Sequence, residues 1–179
     1  VKTPLVSGPD YTELFEGLAA EFLSGKTLDL AWRRAQLKAV QRMMRDSEAD
    51  LFAALKSDLG KSAQEAFVTE TSYVSADAAY SGRKLNRWTR RRRVSTPIIG
   101  QPGRSWVQPE PLGTVLVIGA WNYPLLLTLS PLVSVLAAGN HAMIKPSHLA
   151  PATAGAIRDM IAQTFAADYV TVIVGSSEI

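Results

Sequence analysis

The sequence predicts an α/β protein in which N-terminal helices precede the first half of a doubly wound, Rossmann-like parallel sheet. Three observations predict this class. Apolar residues recur at helical spacing through the first 93 residues, short β-branched blocks follow, and apolar segments of helical length separate those blocks. We therefore divide the chain into a helical part (1–93), a linker or hairpin (94–113) and a βαβαβ part (114–179).

The helical part contains four amphipathic segments. Helices are predicted over about residues 10–25, 30–45, 47–60 and 62–88. Asp10 and Glu13 form a capping-box pair at the start of the first helix, and Gly25 ends it. The predicted buried faces carry Leu14, Leu18, Phe22, Trp32, Ala35, Val40, Met43 or Met44, Leu51, Phe52, Leu55, Phe67, Thr71, Val74 and Ala78. We interpret these stripes as packing surfaces and not as ligand sites.

Proline and glycine are frequent between residues 94 and 113, which predicts turns and short extended pieces. The apolar pairs Ile98-Ile99 and Trp106-Val107 indicate short strands or a hairpin. This segment separates the helical part from the predicted sheet.

A run of 31 residues, Thr114–Ile144, carries no charged side chain and must be buried in a protein core or in a lipid bilayer. A membrane-spanning helix is disfavoured because Pro124 and Pro131 remove helix hydrogen bonds. Asn122 would also leave an amide unsatisfied in hydrocarbon. The run is better divided into strand, helix and strand, and we expect no membrane segment in this chain.

The strand, helix and strand of this run form one βαβ unit, and a further helix and strand after it form a second. Strands are predicted at Thr114–Gly119, His141–Ile144 and Tyr169–Val174, with a buried helix at Leu125–Ala138. The first strand is expected to be buried on both faces, as in parallel sheets covered by helices. Ser147 is predicted to cap a second helix, with Pro151 in its first turn.

The composition limits the possible chemistry. With no cysteine, this segment supplies neither a disulfide nor a thiol nucleophile, and with two histidines a metal site is not expected. No apolar N-terminal signal is seen, so a cytoplasmic protein is expected.

The net charge of +3 comes from one basic cluster, because seven of the 19 basic residues lie in Arg83–Arg93 without an acidic residue among them. Clustered arginines beside Trp88 are typical of nucleic-acid contacts. The same run also suits a solvated helix end, where arginine complements the helix dipole, followed by an exposed loop. We favour the helix end and expect no nucleic-acid partner, since no nucleic-acid-binding fold surrounds the cluster.

Three blocks, Glu110–Pro124, Leu136–Asn140 and Ile144–Ser147, resemble the aldehyde dehydrogenase superfamily in both sequence and spacing. The helical segments Phe22–Thr27 and Leu37–Met44 are similar to its class 3 branch, which includes dehydrogenases of fatty, aromatic and coniferyl aldehydes. The resemblance covers nearly the whole chain, but it corresponds only to the N-terminal portion of a family member.

This resemblance implies an oxidoreductase that converts an aldehyde to a carboxylic acid with NAD or NADP through a cysteine thiohemiacetal. The catalytic domain, with the cysteine and the general-base glutamate, is expected beyond Ile179, so the chain alone is expected to be inactive. The full-length protein is expected to be a homodimer with a contact through residues 94–113. The alternative is a non-catalytic module that binds a nucleotide or a partner.

Asn122 matches the family asparagine whose side-chain N–H stabilises the oxyanion formed by attack on the aldehyde. Spacing alone favours a different role, in which Asn122 caps a turn before Pro124, and the Trp121–Pro124 context reverses that preference. The resemblance further implies that Trp121 lies beside the coenzyme diphosphate, that Tyr123 lines the aldehyde channel and that Gly175 borders the adenine. From the residues alone, each of the three could equally be a core or turn residue.

Lys145 matches the family lysine that contacts the adenosine ribose, within the block Lys145-Pro146-Ser147. Where the family often has a ribose-binding glutamate, this sequence has His148. A carboxylate would repel the 2′-phosphate of NADP, whereas a histidine would not. We therefore expect NADP to be tolerated or preferred.

Overall fold

The computed structural model describes residues 11–175 of the 179. The helices are α1 (Thr12–Phe22), α2 (Leu30–Asp46), α3 (Glu48–Leu59), α4 (Ala63–Ala66), α5 (Ser72–Trp88), α6 (Leu126–Ala138) and α7 (Pro151–Thr164), with a π-helical segment at Phe67–Thr71. The strands are β1 (Arg92–Val94), β2 (Ser105–Val107), β3 (Thr114–Ile118), β4 (His141–Lys145) and β5 (Val170–Val172). The predicted α/β class is confirmed. Asp10, the predicted capping residue of the first helix, lies outside the described residues.

Strands β3, β4 and β5 form a parallel sheet in that order, with Thr114 opposite His141. Because both crossovers step in the same direction, right-handed connections place α6 and α7 on one face of the sheet. The predicted βαβαβ arrangement is therefore present, although β5 is shorter than the predicted strand Tyr169–Val174.

The two faces of the sheet are covered by different helices. Val117 and Ile144 belong to the large core that includes residues of α6 and α7. On the opposite face, Met143 packs with Leu18 of α1 and with Ile173. The sheet therefore lies between a thick helical layer and the single helix α1 in the described part of the chain.

The prediction that β3 is buried on both faces is wrong. Leu116 and Ile118 share the face covered by α1 but are 54% and 68% exposed, whereas Val117 on the other face is 6% exposed. Helix α1 places Leu18 over Met143 of β4, so the carboxyl half of β3 stays uncovered.

The π-helical segment explains an incorrect helix-face prediction. Phe67, predicted to be buried, is 48% exposed, whereas Ala66, Thr71 and Val74 are buried. A π turn adds one residue to a helical turn, so the buried position before Thr71 falls at Ala66, five residues earlier, rather than at Phe67.

Ala35 is exposed, which corrects a second prediction. The buried side of α2 carries Arg33, Leu37 and Val40. Ala35 lies two positions from both Arg33 and Leu37, which is roughly 200° around a helix of 3.6 residues per turn. It therefore points away from the core.

Helix α7 is capped by a residue from a distant helix and not by Ser147. The Ser147 hydroxyl instead accepts a hydrogen bond from the Leu149 N–H at 3.3 Å. Asp58, near the end of α3, accepts from the N–H groups of Ala152 and Thr153 at 3.1 and 2.7 Å. These N–H groups have no partner within their own helix, so the carboxylate satisfies them.

Arg33 is a buried cation that joins α2 to the end of α6. Its guanidinium donates to the carbonyl oxygens of Thr27 and, at 3.4 Å, Ala137. Burial lowers the pKa of Arg33, but a guanidinium remains protonated in proteins. Gly139 ends α6 at φ 86°, and a Cβ added there would lie 2.4 Å from Arg33 Cζ. Glycine is required there because φ is positive and because a side chain would collide with the Arg33 guanidinium.

Strands β1 and β2 form a hairpin, with Arg93 opposite Trp106, so the prediction of a strand holds at Trp106-Val107 but is wrong at Ile98-Ile99. The Arg91 guanidinium lies 3.2 Å from the centroid of the Trp106 ring. Ile98 and Ile99 lie in a 3₁₀ turn between the strands and are 92% and 98% exposed. The basic cluster is thus divided between the end of α5 and the hairpin.

The long uncharged run divides into β3, α6 and β4, although Pro131 lies inside α6 and marks no boundary. Helix α6 has 13 residues, and its side chains Leu129, Leu132 and Leu136 are fully buried. Across residues 11–175, no helix combines the length and the apolar character that crossing a membrane requires.

Replacing Asp58 with alanine removes both acceptors from the first turn of α7. The free energy of unfolding is expected to fall by about 1–2 kcal/mol, the usual cost of losing a helix cap. Urea unfolding followed by circular dichroism measures the change, with the exposed Asp50→Ala as control. Asp58→Asn keeps one oxygen acceptor and should lose less stability, so equal losses in both Asp58 variants would contradict the capping role.

His141 is expected to make stability depend on pH. Burial lowers its pKa, although the Asp168 carbonyl oxygen, 2.9 Å from Nδ1, partly opposes that effect. The unfolded chain therefore binds more protons than the folded chain below the unperturbed pKa of about 6.5, and stability should fall as pH drops from about 7.5 to 5.5. Stability is fully retained above that range.

Unfolding free energies of the wild-type chain and His141→Phe across this pH range test the assignment. Phenylalanine keeps an aromatic ring against Phe22 and Tyr169 but cannot titrate. The pH slope should be smaller in His141→Phe and preserved in His148→Asn, which removes the exposed second histidine. A slope that persists in His141→Phe would assign the pH dependence to other groups.

Candidate functional site

The carboxyl ends of β3, β4 and β5 meet at one edge of the sheet. The Gly119 N–H donates to the Lys145 carbonyl oxygen at 2.9 Å, and the Ile173 N–H donates to that of Ile144 at 2.7 Å. The segments that leave this edge contain all seven predicted site residues. In open parallel sheets, ligands bind in the crevice outside this edge.

Lys145 and Gly175 are brought together at this edge. The Lys145 side chain is half-buried, and its Nζ donates to the Gly175 carbonyl oxygen at 3.3 Å. The ammonium group is therefore held between the ends of β4 and β5. A fixed cation with further donor capacity suits hydroxyl or phosphate oxygens.

Ser147 and His148 lie in the segment that follows β4. Ser147 is half-buried, and its hydroxyl is engaged in the turn that leads to α7. His148 is exposed. The structure therefore places the three residues Lys145, Ser147 and His148 at one end of the same strand, with His148 the most accessible of them.

Gly119 permits the close approach of the loop after β3 to α6. A Cβ at this position would lie 2.0 Å from the Thr128 hydroxyl oxygen and 3.6 Å from the Pro146 Cα. The same Thr128 hydroxyl donates to the Pro124 carbonyl oxygen at 2.5 Å. The loop between Gly119 and Pro124 is thus folded tightly against the first turns of α6.

The loop presents three adjacent side chains to solvent. Trp121 and Tyr123 are 53% and 41% exposed, and Asn122 between them is exposed as well. The Asn122 side-chain amide has no hydrogen-bond partner within residues 11–175, so its N–H groups are available to a ligand. Asn122 does not act as a turn cap in this structure.

Two charged residues behind this loop were not predicted from the sequence. Lys61 and Glu70 form an ion pair with 2.5 Å between Nζ and Oε1, and their side chains are 8% and 0% exposed. The other Glu70 oxygen accepts the N–H groups of Leu125 and Leu126 at 2.9 and 3.1 Å. Glu70 therefore joins the π-helical segment to the start of α6.

Lys61 contacts the loop from the same side. Its Nζ lies 3.5 Å from the Asn122 carbonyl oxygen and 4.1 Å from the centroid of the Tyr123 ring. The sequence did contain a signal for Glu70, because it lies four residues after Ala66 and four before Val74 on a buried face. Lys61 follows Gly60 and has no comparable signal.

No group of three or more His, Asp or Glu side chains suitable for a metal ion is found in residues 11–175. The edge of the sheet instead offers one fixed cation and one free amide. The parallel sheet and its crossover helices place the chain in the doubly wound α/β class, whose members bind ligands at this edge.

The sequence identifies which family of that class is present. The sequence model described as aldehyde dehydrogenase family matches residues 2–179, and the chain belongs to that family. The resemblance stated from the sequence motifs is therefore confirmed.

Curated relatives agree with this assignment. The 4,4'-diaponeurosporen-aldehyde dehydrogenase of Staphylococcus aureus is 40% identical over 159 residues, which are 89% of this chain and 35% of that protein. The dimeric NADP-preferring aldehyde dehydrogenase of Canis lupus familiaris is 38% identical over 164 residues, which are 92% of this chain and 36% of that protein. The chain spans about a third of the length of these relatives.

Solved structures show the same fold. A substrate-bound AldH of Staphylococcus aureus superposes with a TM-score of 0.91 at 37% identity, over 96% of this chain and 37% of that chain. A succinic semialdehyde dehydrogenase of Streptococcus pyogenes in complex with NADP+ has a TM-score of 0.82 at 18% identity, over 99% of this chain and 38% of that chain. At that identity, the second likeness shows the fold alone.

Proposed function

We propose that this chain forms the coenzyme-side N-terminal portion of an NAD(P)-dependent aldehyde dehydrogenase and that Asn122 is its oxyanion donor. The observation that carries the proposal is the free Asn122 amide at the carboxyl end of β3, in a chain of this family. The Staphylococcus aureus and canine relatives are named as aldehyde dehydrogenases, and the canine one as NADP-preferring.

The proposed reaction oxidises an aldehyde to a carboxylic acid. A cysteine thiolate attacks the carbonyl carbon, hydride then leaves that carbon, and water releases the acid from the resulting thioester. This chain has no cysteine, so the nucleophile comes from another part of the full-length enzyme. Attack converts the carbonyl oxygen to an oxyanion, and the Asn122 N–H donates to that charge.

The coenzyme, NAD or NADP, supplies the hydride acceptor when bound, and this edge of the sheet fits its adenosine portion. Lys145, already fixed on the Gly175 carbonyl oxygen, retains donors for ribose hydroxyls or a 2′-phosphate. Ser147 and His148 border the same region. We assign Trp121 to the diphosphate side of the loop and Gly175 to the adenine.

Tyr123 is proposed to line the aldehyde channel, since it is exposed beside Asn122. Residues 94–113 are proposed as a linker between the helical part (1–93) and the βαβαβ part (114–179). Their exposed apolar side chains, Ile98 and Ile99 among them, suit a contact with a second copy in a homodimer.

Asn122→Ala tests the oxyanion assignment in the full-length dehydrogenase that carries this segment. Loss of one oxyanion donor is expected to lower kcat by about 10² to 10³. Steady-state and single-turnover kinetics measure the effect, with Asn86→Ala as control because Asn86 is exposed on α5. An unchanged kcat, with single-turnover data showing that chemistry limits the rate, would remove Asn122 from this role.

His148→Glu tests the coenzyme assignment. A carboxylate near the ribose would repel a 2′-phosphate, so the ratio of kcat/KM for NADP to that for NAD should fall by roughly tenfold. The wild-type enzyme is expected to use NADP at least as well as NAD. A strong NAD preference in the wild type, or a ratio that His148→Glu leaves unchanged, would contradict the assignment.

A further inference from the structure

The ion pair of Lys61 and Glu70 is buried directly behind the Asn122 loop. Burying two charges costs free energy that their attraction recovers only when the remaining hydrogen-bonding capacity is also satisfied. Glu70 accepts hydrogen bonds from the N–H groups of Leu125 and Leu126, which satisfy its second carboxylate oxygen. For Lys61, the other neighbours are the Asn122 carbonyl oxygen and the Tyr123 ring. Within the described residues, every additional partner of this pair therefore belongs to the loop or to the start of α6.

Glu70 fixes the end of the loop. Helix α6 starts at Leu126, and its first N–H groups have no intrahelical acceptor. A carboxylate at this position satisfies two of them and complements the positive end of the helix dipole. Since the loop leads directly into Leu125, its last residue is held at the position of the Glu70 carboxylate.

Lys61 acts on the middle of the loop, where Asn122 lies. Its ammonium group approaches the Asn122 backbone carbonyl, so the peptide after Asn122 is oriented toward the interior. The ammonium group also lies over the Tyr123 ring, and the attraction between a cation and an aromatic face stabilises the observed position of that ring. The Gly119 N–H, which donates to the Lys145 carbonyl oxygen, fixes the start of the same loop. Asn122 thus has supports before, beneath and after it.

We propose that Lys61 and Glu70 are positioning residues that hold the 119–125 loop so that the Asn122 amide points outward from the edge of the sheet. The catalytic consequence rests on the proposed function of Asn122. The structural consequence does not, because it concerns the conformation of the loop alone.

Hydrogen exchange of the 179-residue chain tests the structural consequence. Lys61→Met leaves the buried Glu70 carboxylate unpaired, and exchange of the Leu125 and Leu126 N–H groups is expected to become at least about tenfold faster. The Ala152 and Thr153 N–H groups, capped by Asp58, serve as an internal reference. Arg158→Met is the matched control because it breaks an exposed ion pair elsewhere.

A double variant separates positioning from general destabilisation. In Lys61→Met with Glu70→Gln no charge remains buried behind the loop, while the glutamine oxygen can still accept an N–H at the start of α6. Exchange at Leu125 and Leu126 should return toward the wild-type rate, although the Lys61 contact with Asn122 stays absent. If Lys61→Met does not fold, Glu70→Gln alone decides, with faster exchange at these two N–H groups supporting the proposal and an unchanged rate overturning it.

Kinetics of the full-length dehydrogenase test the catalytic consequence. Lys61→Met and the double variant should lower kcat by roughly 10- to 100-fold through misplacement of Asn122, with the KM values for aldehyde and coenzyme changed less than about twofold. Wild-type kcat in both variants would overturn the positioning role, provided that Asn122→Ala lowers kcat. If Asn122→Ala itself has no effect, the proposed function fails, and the exchange rates still decide whether the pair holds the loop.

Discussion

The structure depends on how the ends of the uncharged helix α6 are satisfied. Its side chains fill the centre of the core, so the unpaired backbone groups at its two ends lie in or near that core. Glu70 accepts the first N–H groups, and Arg33 donates to the carbonyl oxygen of Ala137 near the last turn. A negative charge at the amino end and a positive charge at the carboxyl end both match the helix dipole.

The N-terminal helices are therefore integral to the sheet. Arg33, Asp58 and Glu70 come from the helical part, and each satisfies backbone groups of α6 or α7, the two crossover helices of the sheet. One core cluster joins Leu37 and Leu85 of the helical part to Ile144 of the sheet. The crossover helices, which would end in unsatisfied groups on their own, gain their caps from residues far away in sequence.

This arrangement explains what the sequence could and could not predict. The strand and helix segments of the βαβαβ part follow from local composition, and α6 ends at Ala138, where the predicted helix Leu125–Ala138 ends. The caps could not be predicted in the same way, because Asp58 lies more than 90 residues before the N–H groups that it satisfies. Local chemistry favoured Ser147 as the cap, and tertiary structure supplied Asp58 instead.

The errors on buried faces have the same origin. Phe67 is exposed because a π turn shifts the phase of the helix. A regular helical pattern contains no sign of the extra residue. Leu116 and Ile118 are exposed because the position of α1, and not the composition of β3, decides how much of that face is covered.

The candidate site shows why a buried ion pair serves this loop better than apolar packing. Trp121, Asn122 and Tyr123 must remain accessible if they contact a ligand, so their outer surfaces cannot contribute to the core. The loop must then be held through its backbone, and backbone carbonyl and N–H groups are bound by charged hydrogen-bonding partners rather than by methyl groups. Lys61 and Glu70 provide both kinds of partner from within the helical layer. The free-energy cost of burying the two charges is offset only when the loop adopts the conformation that satisfies their hydrogen bonds. The fold of the helical part is therefore coupled to the orientation of the Asn122 amide.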